Sequence, residues 1–122
     1  MSQRVVVIGQ GYVGLPVAIR AVEVGFDVVG YELDPAKAAG LMAGTSHVED
    51  ITDERLGAAL ATGRYTATAD PSAMAGFDIA VISVPTPMAD GAPDLSYIES
   101  ASAALAPHIT RGATVILEST TY

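Results

Sequence analysis

Gly9, Gly11 and Gly14 are separated by Gln10 and then by the pair Tyr12-Val13. The run directly follows the apolar stretch Val5-Val6-Val7-Ile8 and opens a segment with helical periodicity. In that setting three glycines form a cradle for a diphosphate. Gly9 permits the tight turn, Gly11 removes a Cβ from the path of the pyrophosphate, and Gly14 lets the helix pack closely on the strand. The start of the helix then presents unpaired N–H groups and the positive end of its dipole to the anion. Without the flanking strand and helix the same string would be a glycine-rich turn and nothing more.

A carboxylate completes the pattern. Glu32 closes the run Val28-Val29-Gly30-Tyr31, about 20 residues past the glycine turn, where a dinucleotide fingerprint places an acid. Such a carboxylate accepts the ribose hydroxyls of an adenosine and repels a 2′-phosphate, so NAD is favoured over NADP. Lys37 is a candidate for a second contact on the ribose or adenine side, with a solvated helix lysine as the plain alternative.

In an open α/β sheet, ligands sit beyond the carboxyl ends of the strands. Two more loops fall there. Val84-Pro85-Thr86-Pro87 has two prolines that stiffen the backbone around Thr86, holding its hydroxyl towards the middle of the cofactor. A proline-rich turn with a passive threonine is the alternative. Thr120, in Glu118-Ser119-Thr120-Thr121, is placed to hydrogen-bond nicotinamide, substrate or a catalytic water. Its alternative is a strand-end hydroxyl bonded to its own backbone. Glu118 is given no catalytic role. Glu49-Asp50 are adjacent on the chain, so they point apart and read as a solvated acidic loop.

Composition narrows the chemistry. The 122 residues contain no cysteine, which removes disulfides, thiolate metal sites and a cysteine nucleophile from this chain. A net charge of −8 argues against nucleic acid as a partner. The histidines, His47 and His108, have no partners at zinc-ligand spacing, so no metal is expected. No apolar run reaches the ~18–20 residues of a membrane span, and no secretory leader precedes the first strand, which makes a cytoplasmic location the simplest expectation.

The elements that must position these residues follow from apolar patterning. Continuous apolar runs mark strands over 4–8, 27–32, 65–68, 78–84 and 113–117. Helical patterns cover 12–24, 35–43, 53–62, 71–75 and 95–105, with Asp34 and Asp94 as N-caps and Pro16 in a first turn. Thr52 and Arg55 do not make a capping box, and 85–93 reads as a turn-rich loop. Strands alternating with helices imply an α/β fold, a Rossmann-like doubly wound parallel sheet with helices on both faces, in a single domain.

At this point the chain resembles the N-terminal, NAD-binding domain of the UDP-glucose/GDP-mannose dehydrogenase family over essentially its whole length. The matching stretches are 7–16 (VIGQGYVGLP), 30–37 (GYELDPAK), 84–87 (VPTP), 93–97 (PDLSY) and 117–122 (LESTTY). The segment 44–51 (GTSHVEDI) resembles the branch that oxidises UDP-N-acetylhexosamines. The resemblance implies an NAD-dependent, four-electron oxidation of a sugar C6 alcohol to a carboxylate, through an aldehyde trapped on a cysteine. It places Gly11, Tyr12 and Val13 on the pyrophosphate, Glu32 and Lys37 on the adenosine ribose, Thr86 with Val84 and Pro85 near the nicotinamide side, and Thr120 at the reacting centre as a catalytic and cofactor contact.

The departures are specific. The family usually carries Asp where Glu32 stands, and Gln10 is unusual within the turn. The family's catalytic cysteine, lysine and asparagine fall beyond position 122, as do its long dimerising helix and its sugar-nucleotide domain. Residues 1–122 are therefore expected to form a truncated NAD-binding domain, inactive alone. Its parent would act on a UDP-sugar as a homodimer or larger assembly. The sheet is expected to end on an unpaired edge with exposed apolar surface where further chain would dock. Two rivals remain: a stand-alone NAD(H)-binding or redox-sensing module, and an S-adenosylmethionine-dependent methyltransferase, whose pattern the 84–87 and 118–121 loops do not fit.

Overall fold

The computed structural model describes residues 3–118. Thr120, with Ser119 and Thr121, lies outside them. The elements in order are β1 (Arg4–Ile8), α1 (Gly14–Glu23), β2 (Asp27–Tyr31), α2 (Pro35–Met42), α3 (Asp53–Ala61), β3 (Tyr65–Thr68), a 3-10 turn (Pro71–Met74), β4 (Ile79–Ile82), β5 (Met88–Ala89), β6 (Ala92–Pro93), α4 (Ser96–Leu105), a second 3-10 turn (Ala106–His108) and β7 (Thr114–Leu117). Five strands form one sheet in the order β3-β2-β1-β4-β7. Every pairing in it is parallel. This is the doubly wound arrangement that the alternating pattern implied.

The central strands β1, β2 and β4 are largely apolar because both faces of the sheet are covered there. Side chains alternate between the faces. Val5, Val7, Val28, Tyr65, Ala67 and Val81 pack with Leu15, Ile19 and Val22 of α1, Leu41 of α2 and Leu56 of α3. Val6, Ile8, Val29, Tyr31, Ala80 and Ile82 pack with Met74, Phe77, and Ala101 and Leu105 of α4. In α1, residues 14, 15, 18, 19 and 22 are buried, a single stripe at helical spacing that lies on the central strands.

Most boundaries fall within a residue or two of the sequence expectation. Helix α1 starts at Gly14, two residues later than the apolar pattern, because Gly11, Tyr12 and Val13 form the turn. Thr52 does cap α3: its Oγ1 accepts the Arg55 N–H at 3.1 Å, although no acidic residue at 55 returns the bond. Asp34 caps α2 through the Ala36 N–H at 2.9 Å. Helix α4 begins at Ser96, and the Asp94 carboxylate accepts the Ser96 N–H at 2.9 Å.

The loop expected over 85–93 contains a small antiparallel hairpin, β5 with β6. Asp90 (φ 53°) and Gly91 (φ 81°) make its two-residue turn, and both occupy the left-handed region that such tight hairpins require. The Asp-Gly pair was the available signal. At the far edge, β7 pairs with β4 alone among the described residues, and Val115, Ile116 and Leu117 are 43, 44 and 54% exposed. The expected unpaired apolar edge is therefore present. No helix among the described residues is long and apolar enough to cross a membrane.

The end of α1 is tied to α3 by a two-pronged ion pair. Arg55 Nε and Nη2 each donate to the Glu23 carboxylate at 2.8 Å. The Arg55 hydrogen bond holds the Glu23 carboxyl below its usual range. A lowered folded pKa contributes stability above the unfolded carboxylate value and loses it as pH falls through the folded one. Glu23→Gln should therefore lower the thermal midpoint at neutral pH. The difference from the parent protein should vanish in acid below the carboxylate range. A pH series of melting curves for the two proteins checks this.

Candidate functional site

The cavity that the fold builds lies at the carboxyl ends of β1, β2 and β4. It measures about 570 Å³ and is lined along one side by Gly9, Gln10, Gly11, Tyr12 and Val13. Tyr31, Glu32, Leu33, Asp34 and Lys37 line a second side, and Ser83, Val84, Pro85 and Tyr97 a third.

The glycines of the turn have different reasons to be glycine. Gly9 has φ +92°, and a Cβ there would stand 2.9 Å from the Ser83 carbonyl oxygen. A Cβ on Gly14 would overlap the Gly9 carbonyl oxygen and the Ser83 hydroxyl. Ser83 locks this junction, since its Oγ lies 3.0 Å from the Ile8 carbonyl and 3.1 Å from that of Gly9. These two glycines are demanded by the protein's own packing. Gly11 is different: a Cβ there would meet nothing within 4 Å. Its missing side chain leaves cavity space that no protein atom fills.

Helix α1 starts on the cavity wall with Val13 as N-cap and no side-chain hydrogen bond to its first turn. Helices α2 and α3 both have side-chain caps. Leu15 already donates to the Gly11 carbonyl at 3.0 Å and Pro16 has no N–H, so the donors left for an anion or water are the N–H groups of Gly11 to Gly14, with the dipole's positive end behind them. Because the donors are backbone groups, an acidic protein can hold an anion here. Among the described residues lining the cavity, Lys37 is the one cation and Glu32 and Asp34 are the anions.

Glu32 is held by main-chain donors on both oxygens. Oε1 accepts the Gln10 N–H at 3.1 Å and Oε2 accepts the Asp34 N–H at 3.0 Å. Each carboxylate oxygen retains a second lone-pair direction for an outside donor such as a hydroxyl. The two tyrosines beside the cavity are open to solvent, Tyr12 at 74% and Tyr97 at 42% exposure.

The structure brings Gly9, Gly11, Tyr12, Val13, Glu32, Lys37, Val84 and Pro85 to one cavity. Gly14 lies behind it, pressed on Gly9. Thr86 is buried, 5% exposed, and does not line the cavity. Sequence reasoning missed Ser83, whose small hydroxyl bridges two carbonyls 74 and 75 residues away, a contact with no local signal. It missed Tyr97, although Asp94 marked its helix. It noted Gln10 as unusual without finding its partners. It also gave no role to His47, whose Nε2 lies 2.7 Å from the Gln10 carbonyl. Among the described residues, no group of His, Cys, Asp and Glu is arranged to hold a metal ion.

A parallel doubly wound sheet, a glycine turn on an uncapped helix start and a fixed carboxylate at the end of β2 define a class, the dinucleotide-binding domain. Comparison with known proteins gives the family. Residues 3–122 match the sequence model of the UDP-glucose/GDP-mannose dehydrogenase family, NAD binding domain. The chain belongs to that family and is an NAD-binding domain.

Among its relatives, a UDP-N-acetyl-D-mannosamine dehydrogenase of Pyrococcus horikoshii is 39% identical over 118 residues, covering 96% of this chain and 28% of the relative. An NDP-N-acetyl-D-galactosaminuronic acid dehydrogenase of Ralstonia nicotianae is 40% identical over 116 residues, covering 93% and 27%. The solved structure of the Pyrococcus horikoshii UDP-D-ManNAc dehydrogenase superposes with a TM-score of 0.92 over 97% of this chain and 28% of that one, at 39% identity. A ternary complex of GDP-mannose dehydrogenase from Pseudomonas aeruginosa gives 0.88 over 98% and 29%, at 30% identity. The chain thus spans somewhat over a quarter of the length of these relatives.

The junction at Gly14 can be tested apart from any ligand. Gly14→Ala forces the start of α1 off β1, an overpacking whose cost is about 1–3 kcal/mol or more. Chemical denaturation should show that loss. A fully stable Gly14→Ala protein would mean that α1 does not sit as close to the turn as described.

Proposed function

We propose that this chain supplies the cofactor half of a nucleotide-sugar 6-dehydrogenase, which oxidises the C6 alcohol of a UDP-sugar to a carboxylate with NAD as oxidant. Two relatives named for N-acetylated sugar nucleotides support the UDP-N-acetylhexosamine branch. The observation that carries the cofactor reading is Gly11, whose bare Cα faces the cavity beside the uncapped start of α1.

In this reading the N–H groups of Gly11, Tyr12 and Val13 hold the diphosphate, and Gly9 and Gly14 shape the turn that presents them. Glu32 accepts the adenosine ribose hydroxyls on lone pairs that Gln10 and Asp34 leave free. Its charge repels a 2′-phosphate. Lys37 flanks the same end of the cavity, and Val84 and Pro85 rim the opposite end, on the nicotinamide side. Thr86 is assigned, by family resemblance, a place near the nicotinamide-side ribose, next to Pro85 on that rim. Thr120 is assigned, by family resemblance, a hydrogen bond at the reacting centre. Bound NAD supplies a hydride acceptor, and the residues described here bind and orient it.

The second half of the reaction needs a different group. An aldehyde held as a thiohemiacetal gives up a hydride to NAD to become a thioester, which water hydrolyses to the carboxylate with release of the thiol, and this chain has no cysteine. The sulfur, the proton-handling groups and the sugar-nucleotide site must then be contributed by polypeptide outside these residues. A homodimer or larger assembly in the cytoplasm is the setting proposed for the complete enzyme.

Two measurements test the reading. NADH titrated by calorimetry should bind, NADPH should bind at least about tenfold more weakly, and Gly11→Ala should weaken NADH about tenfold with an unchanged melting temperature. Equal affinity for NADH and NADPH would remove the role given to Glu32. The 122-residue chain, given NAD and UDP-N-acetylmannosamine, should produce no NADH absorbance. Turnover would show that the chemistry does not need an external thiol.

A further inference from the structure

Gln10 is completely buried, which is rare for a side-chain amide without a full set of partners. Its set is nearly full. Nε2 donates to the main-chain carbonyls of Val7 and Gly9, each at 3.1 Å. Oε1 accepts the Tyr65 hydroxyl at 2.7 Å. The amide lies over Gly30 in β2, where a Cβ would overlap its Oε1 and its amide carbon. The main chain of Gln10 is tied as well, through its N–H to Glu32 and through its carbonyl to His47. One residue in the glycine turn thus joins the ends of β1 and β2, the first residue of β3 and the loop between α2 and α3.

Tyr65 is 2% exposed and does not line the cavity. Burial, reinforced by the nearby Glu32 charge, pushes its pKa up, so the hydroxyl stays protonated as the donor that the Gln10 oxygen needs.

We infer that Tyr65 is a positioning residue of the dinucleotide site, fixing through the Gln10 amide the N–H that aims the Glu32 carboxylate at the ribose. The inference rests on the proposed cofactor reading. Without the hydroxyl, the Gln10 oxygen is stranded where water does not reach, and a stranded buried acceptor costs more than the bond that satisfied it. The amide then turns towards solvent. Because its nitrogen holds the Val7 and Gly9 carbonyls, the turn moves with it. The Gln10 N–H leaves Glu32 Oε1, and the carboxylate loses its fixed direction.

The test is the ratio of NADH to NADPH affinity in the purified protein. A variant that merely destabilises the fold weakens both nucleotides together and leaves the ratio alone. Tyr65→Phe should narrow the ratio about five- to tenfold by weakening NADH. Gln10→Leu, which packs without a polar atom, should narrow it similarly. In the Gln10→Leu background, Tyr65→Phe should change the ratio no further, since the path runs through the amide. Tyr65→Phe with an unchanged ratio, or additive effects in the double variant, overturns the inference while leaving the cofactor reading intact. If Tyr65→Phe does not fold, the ratio in Gln10→Leu decides alone, and an unchanged value there overturns it equally. Failure of the unaltered protein to bind NADH would instead remove the cofactor reading.

Discussion

The start of α1 touches the end of β1 without an intervening side chain, and the functional corner depends on that contact. The Gly9 carbonyl lies where a Cβ of residue 14 would stand, and the Ser83 hydroxyl lies within 3.1 Å of the same carbonyl. Ser83 directly follows β4, and its N–H donates to the Ile8 carbonyl at 2.9 Å. Three neighbouring strand ends and one helix start are therefore fixed relative to each other within a single shell of atoms. The stripe Leu15, Ala18, Ile19 and Val22 then holds the helix along the sheet, so the positive end of its dipole stays at the cavity wall. Burial supplies the energy, and the glycines set the distance at which it is collected.

The charge pattern follows from relying on backbone donors. A protein of net charge −8 would repel a diphosphate at long range. At contact, the peptide N–H groups of an uncapped helix provide donors with no desolvated cation to accommodate. Lys37 adds one positive charge at the rim, and Glu32 and Asp34 are themselves negative. Such a site does not select phosphates in general. Under the proposed function, the carboxylate held by Gln10 and Asp34 would favour a ligand whose hydroxyls lie beyond its phosphates.

What could be read from the sequence was whatever is encoded locally. The strand and helix order, the glycine turn, the acid at 32 and the cap at 34 depend on residues a few positions apart, and the structure places them as the pattern required; α4 differs, with Leu95 as its N-cap and Asp94 one residue earlier, accepting the Ser96 N–H. The Asp90-Gly91 hairpin carried a local signal that was absorbed into a loop assignment. The contacts that tie the corner together carried none. Ser83 to Ile8 spans 75 residues and Tyr65 to Gln10 spans 55, and nothing near either residue in the sequence points to its partner. Thr86 shows the converse. Its flanking prolines carried a local signal, but burial did not follow from it: the threonine is buried and does not line the cavity.

The three-glycine string is therefore two constraints written in one motif. Gly9 and Gly14 answer to the fold, because any side chain there collides with Ser83 or with the turn itself. Gly11 answers to nothing in the protein, and its backbone lies outside the positive-φ region that would require glycine. A domain selected only to fold could retain the first two and place alanine at the third without strain. The absence of a side chain at 11 is thus the part of the motif that fold stability does not account for, and it is the part that the proposed function uses. The same reasoning applies to Gly30, where the space is taken up by the Gln10 amide, so that this glycine and that glutamine account for each other.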